Sequence, residues 1–149
     1  MQNNGLIEIK LKGIEASPLE YALFLGNKEK TFAIFVGPDV GSAILMHEQG
    51  VNRPRPLTHD LMKNIFLGFG ARIDRVVIND LKENTFYARI FIREENELGK
   101  NILEIDARPS DSIALAVRFG AGIYVTRKIF DKVEDVTKFL EEKKKPPEL

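Results

Sequence analysis

The order of hydrophobic and polar residues changes period several times along the chain, which predicts both strands and helices. From residue 6 to residue 14, apolar side chains alternate loosely with Glu8, Lys10 and Lys12, and this period of two is typical of a β-strand. Similar segments recur, most clearly from Phe86 to Arg93, where successive side chains point to opposite faces. The predicted strands are residues 6–14, 21–25, 32–36, 73–81, 86–93, 102–105 and 123–125.

Other segments carry apolar residues at helical spacing. Pro109 stands where a first helical residue is expected, apolar residues follow with a period of about 3.6, and Gly120 can end the helix in a left-handed conformation. A second helix is predicted to begin with Thr58 as its N-cap, and Leu57 is placed to pack on Met62. The predicted helices are residues 38–49, 58–69, 109–119 and 133–144.

These elements predict an α+β fold, in which three to four helices pack on a curved, mostly antiparallel sheet. One parallel step is expected, because the strand 102–105, the helix 109–119 and the strand 123–125 follow one another. We predict that these two strands are neighbours or near-neighbours with a right-handed crossover. Residues 1–142 form one predicted domain, and residues 143–149 form a frayed, charged C-terminal tail.

Composition narrows the class of protein. The 149 residues are 44% hydrophobic and 30% charged, which is typical of a globular domain. The formal net charge is 0 and the pI is about 6.8, so any contact with nucleic acid is expected through a local basic patch. No apolar segment is long enough to span a membrane, and the chain has no cysteine for disulfides or thiolate chemistry. We therefore expect a cytoplasmic protein without a membrane partner.

The turn before the helix 109–119 carries the densest set of reactive groups, namely Asp106, Arg108, Ser110 and Asp111. Two aspartates at a strand end and a helix start are suited to Mg²⁺ or Mn²⁺, which prefer carboxylate oxygens and water. Arg108 beside the free N–H groups of a helix start is suited to a phosphate. The alternative is structural, with Asp111 stabilising its helix, Asp106 or Ser110 binding backbone N–H groups, and Arg108 forming an ion pair.

Two further sets of residues are candidates for function. His59 and Asp60 lie in the first turn of the second helix, where an imidazole can act as a general base or metal ligand. The alternative is a surface histidine beside an aspartate that complements the helix dipole. Arg89 shares one strand face with Tyr87 and Phe91, a mixture that suits single-stranded nucleic acid or, alternatively, a protein interface.

Four short motifs are similar to those of a known family and occur in the family's order. They are Asp106-Ala107-Arg108-Pro109-Ser110-Asp111-Ser112-Ile113-Ala114-Leu115-Ala116, Arg55-Pro56-Leu57-Thr58-His59-Asp60-Leu61, Phe86-Tyr87-Ala88-Arg89 and Ile123-Tyr124-Val125. On these motifs the chain resembles the bifunctional nuclease (DNase/RNase) domain family over roughly residues 6–135. The resemblance implies a nuclease that acts on DNA and RNA.

The chemistry of the candidate residues suggests metal-assisted hydrolysis of phosphodiester bonds. The candidate catalytic residues are Asp106, Asp111, His59 and Asp60, the candidate substrate-binding residues are Arg108, Ser110, Arg89 and Arg55, and the candidate metal ligands are Asp106 and Asp111. The alternative function is a non-catalytic homodimeric module that binds a protein or RNA. We also expect a homodimer, formed through Tyr87 and Phe91 if helices cover only one face of their strand.

Overall fold

A computed structural model describes residues 5–145, which form one open, mixed sheet of seven strands packed by five helices. The strands are β1 (Leu6–Ala16), β2 (Tyr21–Gly26), β3 (Thr31–Val36), β4 (Ala71–Lys82), β5 (Thr85–Asn96), β6 (Gly99–Ala107) and β7 (Gly122–Thr126). The helices are α1 (Pro38–Glu48), α2 (Thr58–Gly68), α3 (Pro109–Phe119), α4 (Arg127–Lys132) and α5 (Thr137–Lys144). The strand order is β3-β2-β1-β7-β4-β5-β6, and the predicted α+β architecture is confirmed.

The sheet consists of two antiparallel meanders joined by β7. One meander is β1 to β3 and the other is β4 to β6, while β7 is antiparallel to β1 and parallel to β4. The expected parallel step therefore exists, but β7 pairs with β4 and not with β6. β6 and β7 run in the same direction with two strands between them. Because short turns place β4, β5 and β6 side by side, the strand after α3 returns to the free edge of β4.

Local chemistry explains where the helices that form the site begin. α3 starts with Pro109 and ends at Gly120, whose φ of 64° lies in the left-handed region. α2 starts with Thr58, and its N-cap is Leu57, so the prediction of Thr58 as N-cap was wrong by one residue. The Leu57 N–H donates to the carboxylate of Asp60 at 2.9 Å. Asp60 thus stabilises the start of α2 in place of a capping side chain.

The predicted last helix, residues 133–144, was wrong in its first turn. The chain forms α4 and α5 with a non-helical segment between them. In that segment, Asp135 accepts hydrogen bonds from the N–H groups of Thr137 at 3.0 Å and Thr31 at 3.2 Å, which ties it to β3. Lys143 and Lys144, assigned to the charged tail, belong to α5, and residues 146–149 of that predicted tail lie outside the described residues.

α3 is the central helix of the main core. Ile113 and Ala116 are fully buried, and α3 packs against α1 and α2 as well as β4, β5 and β7. α5 covers the opposite face of the sheet, where Leu140 packs on Phe24, while the neighbouring Leu23 belongs to the main core. Within residues 5–145, no helix has the length and hydrophobicity needed to cross a membrane.

The outer face of β5 is where the sequence predicted a dimer interface. Tyr87 is 40% exposed, but Phe91 is half-buried beneath the guanidinium of Arg75, which lies 4.2 Å from the ring centroid. Lys82 Nζ lies 5.5 Å from the centroid of Tyr87. Cations already cover part of this aromatic surface, and dimerisation through it stays a prediction.

Candidate active site

The first turns of α1, α2 and α3 line one cleft of about 730 Å³. Backbone N–H groups at a helix start lack intrahelical partners, and the helix dipole adds positive potential, so this convergence favours an anion. The polar side chains that line the cleft are Asp39 and Ser42 from α1, Thr58 and His59 from α2, and Arg108 and Asp111 from the start of α3.

The central contact of the cleft joins His59 to Asp111, which are 52 positions apart in the sequence. His59 Nε2 lies 2.9 Å from Asp111 Oδ1, and Arg108 Nε donates to Oδ2 of the same carboxylate at 2.8 Å. Since a carboxylate only accepts hydrogen bonds, we assign the proton of this contact to Nε2, which leaves Nδ1 as an acceptor in the neutral ring. The imidazole is only 5% exposed, so its surroundings hold it in one orientation.

The charge state of Asp111 suits a partner of histidine. Burial alone would raise the pKa of its carboxyl group, but hydrogen bonds from Arg108 and His59 outweigh this effect and lower the pKa below the ordinary value. Asp111 is therefore a carboxylate at neutral pH and can stabilise a positive charge that forms on His59. Arg108 keeps a side chain that is 71% exposed beside this pair.

Helix geometry explains why His59, and not its neighbour Asp60, meets Asp111. Successive residues of a helix point about 100° apart, so adjacent side chains have different neighbours. His59 faces the first turn of α3, whereas Asp60 contacts Arg118 in the last turn of the same helix. His59 and Asp60 are adjacent in the sequence, but they therefore belong to different clusters of side chains.

The carboxylate of Asp60 is shared by two arginines. Arg53 donates from Nε to Oδ2 and from Nη2 to Oδ1, both at 2.7 Å, and Arg118 Nε donates to Oδ1 at 2.8 Å. The pKa of Asp60 is far below its ordinary value, chiefly because of the hydrogen bonds from Arg53. The Leu57 N–H and Arg118 lower this pKa further, and together these interactions outweigh the effect of burial. Both oxygens are occupied, so Asp60 is suited to position α2 and not to accept a proton.

Arg118 joins the three helices of the site and was not among the predicted residues. Its side chain is 1% exposed, and besides Asp60 it donates to the carbonyl of Ala114 at 3.0 Å and to that of Ala43 in α1 at 3.3 Å. The available signal was a single arginine in the otherwise apolar second half of α3. Arg53, also missed, comes from the proline-containing connection before α2, where no period indicates a contact.

Four other candidate residues lie outside the cleft lined by His59. Ser110 is buried and lines a neighbouring cleft of about 350 Å³, which shares Arg108 with the first. The side chain of Asp106 is 73% exposed and lies 3.8 Å from Arg89 Nη1, and Arg89 Nε also bonds Glu104 at 3.2 Å. Arg55 is exposed in the connection between α1 and α2. The structure thus unites His59, Arg108 and Asp111 and separates them from the rest.

The two carboxylates predicted to hold a metal ion contact other side chains in the structure. Among residues 5–145, no group of three or more His, Asp and Glu side chains comes together in an arrangement that could hold a metal. Asp111 gives its oxygens to His59 and Arg108, while the carboxylate of Asp106 is directed to Arg89. The hypothesis that Asp106 and Asp111 jointly hold Mg²⁺ or Mn²⁺ therefore gains no support from this geometry.

The residues of this cleft lie in a region that is similar to known proteins. The family model of the bifunctional nuclease domain matches residues 23–138, a range that contains His59, Arg108 and Asp111. The chain belongs to the bifunctional nuclease domain family. The chain is also similar to uncharacterized protein MT1877 of Mycobacterium tuberculosis (strain CDC 1551 / Oshkosh) and to uncharacterized protein Rv1829 of strain ATCC 25618 / H37Rv. Each is 38% identical over 122 residues, which cover 79% of this chain and 70% of the relative.

Membership of the bifunctional nuclease domain family assigns the chain to a nuclease-related class. The names of the two mycobacterial proteins state no activity, so they add no substrate.

Proposed function

We propose that this bifunctional nuclease domain protein hydrolyses phosphodiester bonds of RNA and DNA in the cleft where α1, α2 and α3 begin. The observation that carries the proposal is the hydrogen bond of 2.9 Å between His59 and Asp111, with Arg108 on the second oxygen of the same carboxylate. A histidine oriented by a carboxylate is a recurrent device for moving protons in hydrolysis. The family supports the same class of reaction.

In this mechanism His59 is the general base and then the general acid. With Nε2–H donated to Asp111, Nδ1 takes a proton from the attacking water. The new oxygen–phosphorus bond forms as the bond to the leaving oxygen breaks, and the imidazolium returns its proton to that oxygen. Asp111 stays ionised throughout and stabilises the transient positive charge on His59.

In this proposal, Arg108 and the N-termini of α1, α2 and α3 bind the substrate. Only Nε of Arg108 is directed to Asp111, and the exposed remainder of the guanidinium offers further N–H donors to a phosphate. The partial positive charges at the three helix starts add to this attraction and oppose the charge that develops on phosphorus oxygens. Arg55 is exposed beside the cleft-lining Pro56, and its role in substrate binding stays a prediction. Arg89 is less suited, because Glu104 already holds its guanidinium.

The experiment is a cleavage assay on single- and double-stranded DNA and RNA, with EDTA, Mg²⁺ or Mn²⁺ in parallel. We expect cleavage by the wild type, and a loss of about 10²- to 10⁴-fold in His59→Gln, the range typical of general acid–base catalysis. The matched control is His47→Gln, because His47 is the only other histidine and does not line the cleft. Equal rates for wild type and His59→Gln would refute the proposal, since they would indicate a contaminating nuclease or another site.

A second candidate is a non-catalytic homodimeric module that binds RNA or a protein. It is favoured by the exposed apolar residues at the free edge of the sheet, among them Ile102 and Leu103. If purified wild-type protein binds single-stranded RNA without cleaving it under any of the metal conditions, this second function replaces the first. Binding of a phosphate in the cleft would serve both functions.

A further inference from the structure

β6 is the last strand of the sheet, and it leaves an unusual edge open. It pairs with β5 on one side and has no neighbour on the other within the described residues. Eight of its nine residues are exposed, including three large apolar ones: Ile102 at 57%, Leu103 at 50% and Ile105 at 43%. An edge with free backbone N–H and C=O groups and apolar side chains is a template for another strand.

Most of the devices that usually prevent edge pairing are missing here. Proline, β-bulges, short length and charged side chains are the common devices, and of these β6 has only the charges of Lys100, Glu104 and Asp106. β6 contains no proline, and its nine pairs with β5 run from Gly99 to Ala107 without a register shift, although the β4–β5 pair has two shifts. A long, regular edge of this kind is suited to accept a partner strand along its whole length.

The side chains of β6 divide between the two faces of the sheet. Leu103 and Ile105 pair with Ile92 and Ile90, whose side chains are buried on the face covered by α3. The even-numbered residues, from Lys100 to Asp106, therefore lie on the outer face. Any strand that pairs with β6 has to match Leu103 and Ile105 on the helix face, and both the charged residues and Ile102 on the outer face.

We propose that two copies of this chain pair through β6 in antiparallel orientation, with Leu103 on the twofold axis. In this register Leu103 lies opposite Leu103 of the second copy, and Asn101 lies opposite Ile105. On the outer face Lys100 lies opposite Asp106 at both ends of the pair, so opposite charges meet twice. In this register the apolar contact lies at the centre and the opposite charges lie at both ends, while Ile102 lies opposite Glu104 between them. The matching centre and ends are why we assign the edge to a second copy.

The chain's lack of cysteine permits a direct test of this register. In Leu103→Cys, the two introduced thiols are directly opposite, with Cα atoms about 4.5–5.5 Å apart, so oxidation should give a disulfide-linked dimer. Ile105→Cys alone and Asn101→Cys alone are matched controls on the same face. Each has its twofold copy about 14 Å away along the strand, too far for a disulfide.

A mixture of the two control variants completes the test. Ile105→Cys and Asn101→Cys together should crosslink with each other, because these positions are opposite in the proposed pair. Charge exchange supplies an independent measurement: Lys100→Asp should raise the dimer dissociation constant roughly tenfold, and Lys100→Asp with Asp106→Lys should restore it. Far-UV circular dichroism verifies that each variant is folded.

Three results would overturn the proposal. The first is a monomer at high micromolar concentration by light scattering, with no crosslink in folded Leu103→Cys. The second is a crosslink of Ile105→Cys alone as efficient as that of Leu103→Cys, which would indicate non-specific collision. The third is a dimer whose dissociation constant is unchanged by Lys100→Asp, which would place the interface on another surface, such as that of Tyr87.

Discussion

Replacing Asp60 by asparagine should destabilise the protein severely, because it leaves Arg118 buried without a counter-charge. The side chain of Arg118 is 1% exposed, and Asp60 is its carboxylate partner at 2.8 Å. Removing one member of a buried ion pair costs about 3–5 kcal/mol. For a chain of this size, each kcal/mol lowers the melting temperature by about 2–4 °C, so we expect a fall of about 6–20 °C.

The partner variant Arg118→Met should lose less free energy of unfolding than Asp60→Asn, because Asp60 keeps its two hydrogen bonds from Arg53. It loses the hydrogen bonds to the carbonyl groups of Ala43 and Ala114, which implies about 1–3 kcal/mol. In the double variant the unpaired charge is gone. The double variant should therefore be no less stable than Asp60→Asn, and the coupling energy should exceed about 1 kcal/mol.

Urea unfolding followed by circular dichroism gives the free energies for this cycle. Asp106→Asn is the matched control, since it removes an exposed carboxylate whose contact with Arg89 is 3.8 Å, and its midpoint should hardly change. A cost below about 1 kcal/mol for Asp60→Asn, or strictly additive single costs, would refute the argument that Arg118 depends on Asp60.

Two further predictions concern pH and packing. The folded-state pKa values of Asp60 and Asp111 are lowered, so ionisation of these carboxylates stabilises the folded protein. This stabilisation is complete above the ordinary aspartate pKa of 3.8 and is lost as the pH falls below it. Urea unfolding between neutral pH and acid should show the loss, and the loss should be smaller in Asp60→Asn. Gly41→Ala should lower the free energy of unfolding by about 1–3 kcal/mol in thermal or urea unfolding, because its Cβ would lie 2.5 Å from Tyr21 Cγ. A Cβ at Gly68 meets nothing within 4 Å, so the control variant Gly68→Ala should be neutral or stabilising.

Local patterns predicted most of the elements but not their final arrangement. The proline and glycine that bound α3 act within a few residues, and so the helix 109–119 was predicted correctly. The position of β7 beside β4 depends on which edge is free after β4, β5 and β6 have paired, and no local pattern contains that information. The break between α4 and α5 depends on Asp135 reaching Thr31, which is 104 positions away.

Local sequence patterns also did not determine which candidate residues meet in the cleft. The starts of α2 and α3 were separate candidates in the sequence, and His59 of one contacts Asp111 of the other. Which neighbours share a site depends on the rotation of each helix about its axis, and this rotation is set by core packing. Asp60 therefore contacts Arg118, and Asp106 lies on the exposed sheet edge with Arg89.

The most direct test of the account is whether His59 and Asp111 act as one catalytic pair. The measurement is the single-turnover rate of cleavage of a single-stranded substrate by wild type, His59→Gln, Asp111→Asn and the double variant. Residues that act as a unit give non-additive losses, so we expect the double variant to be about as slow as His59→Gln alone. An undiminished rate in His59→Gln, or losses that multiply in the double variant, would contradict the catalytic role proposed for the pair.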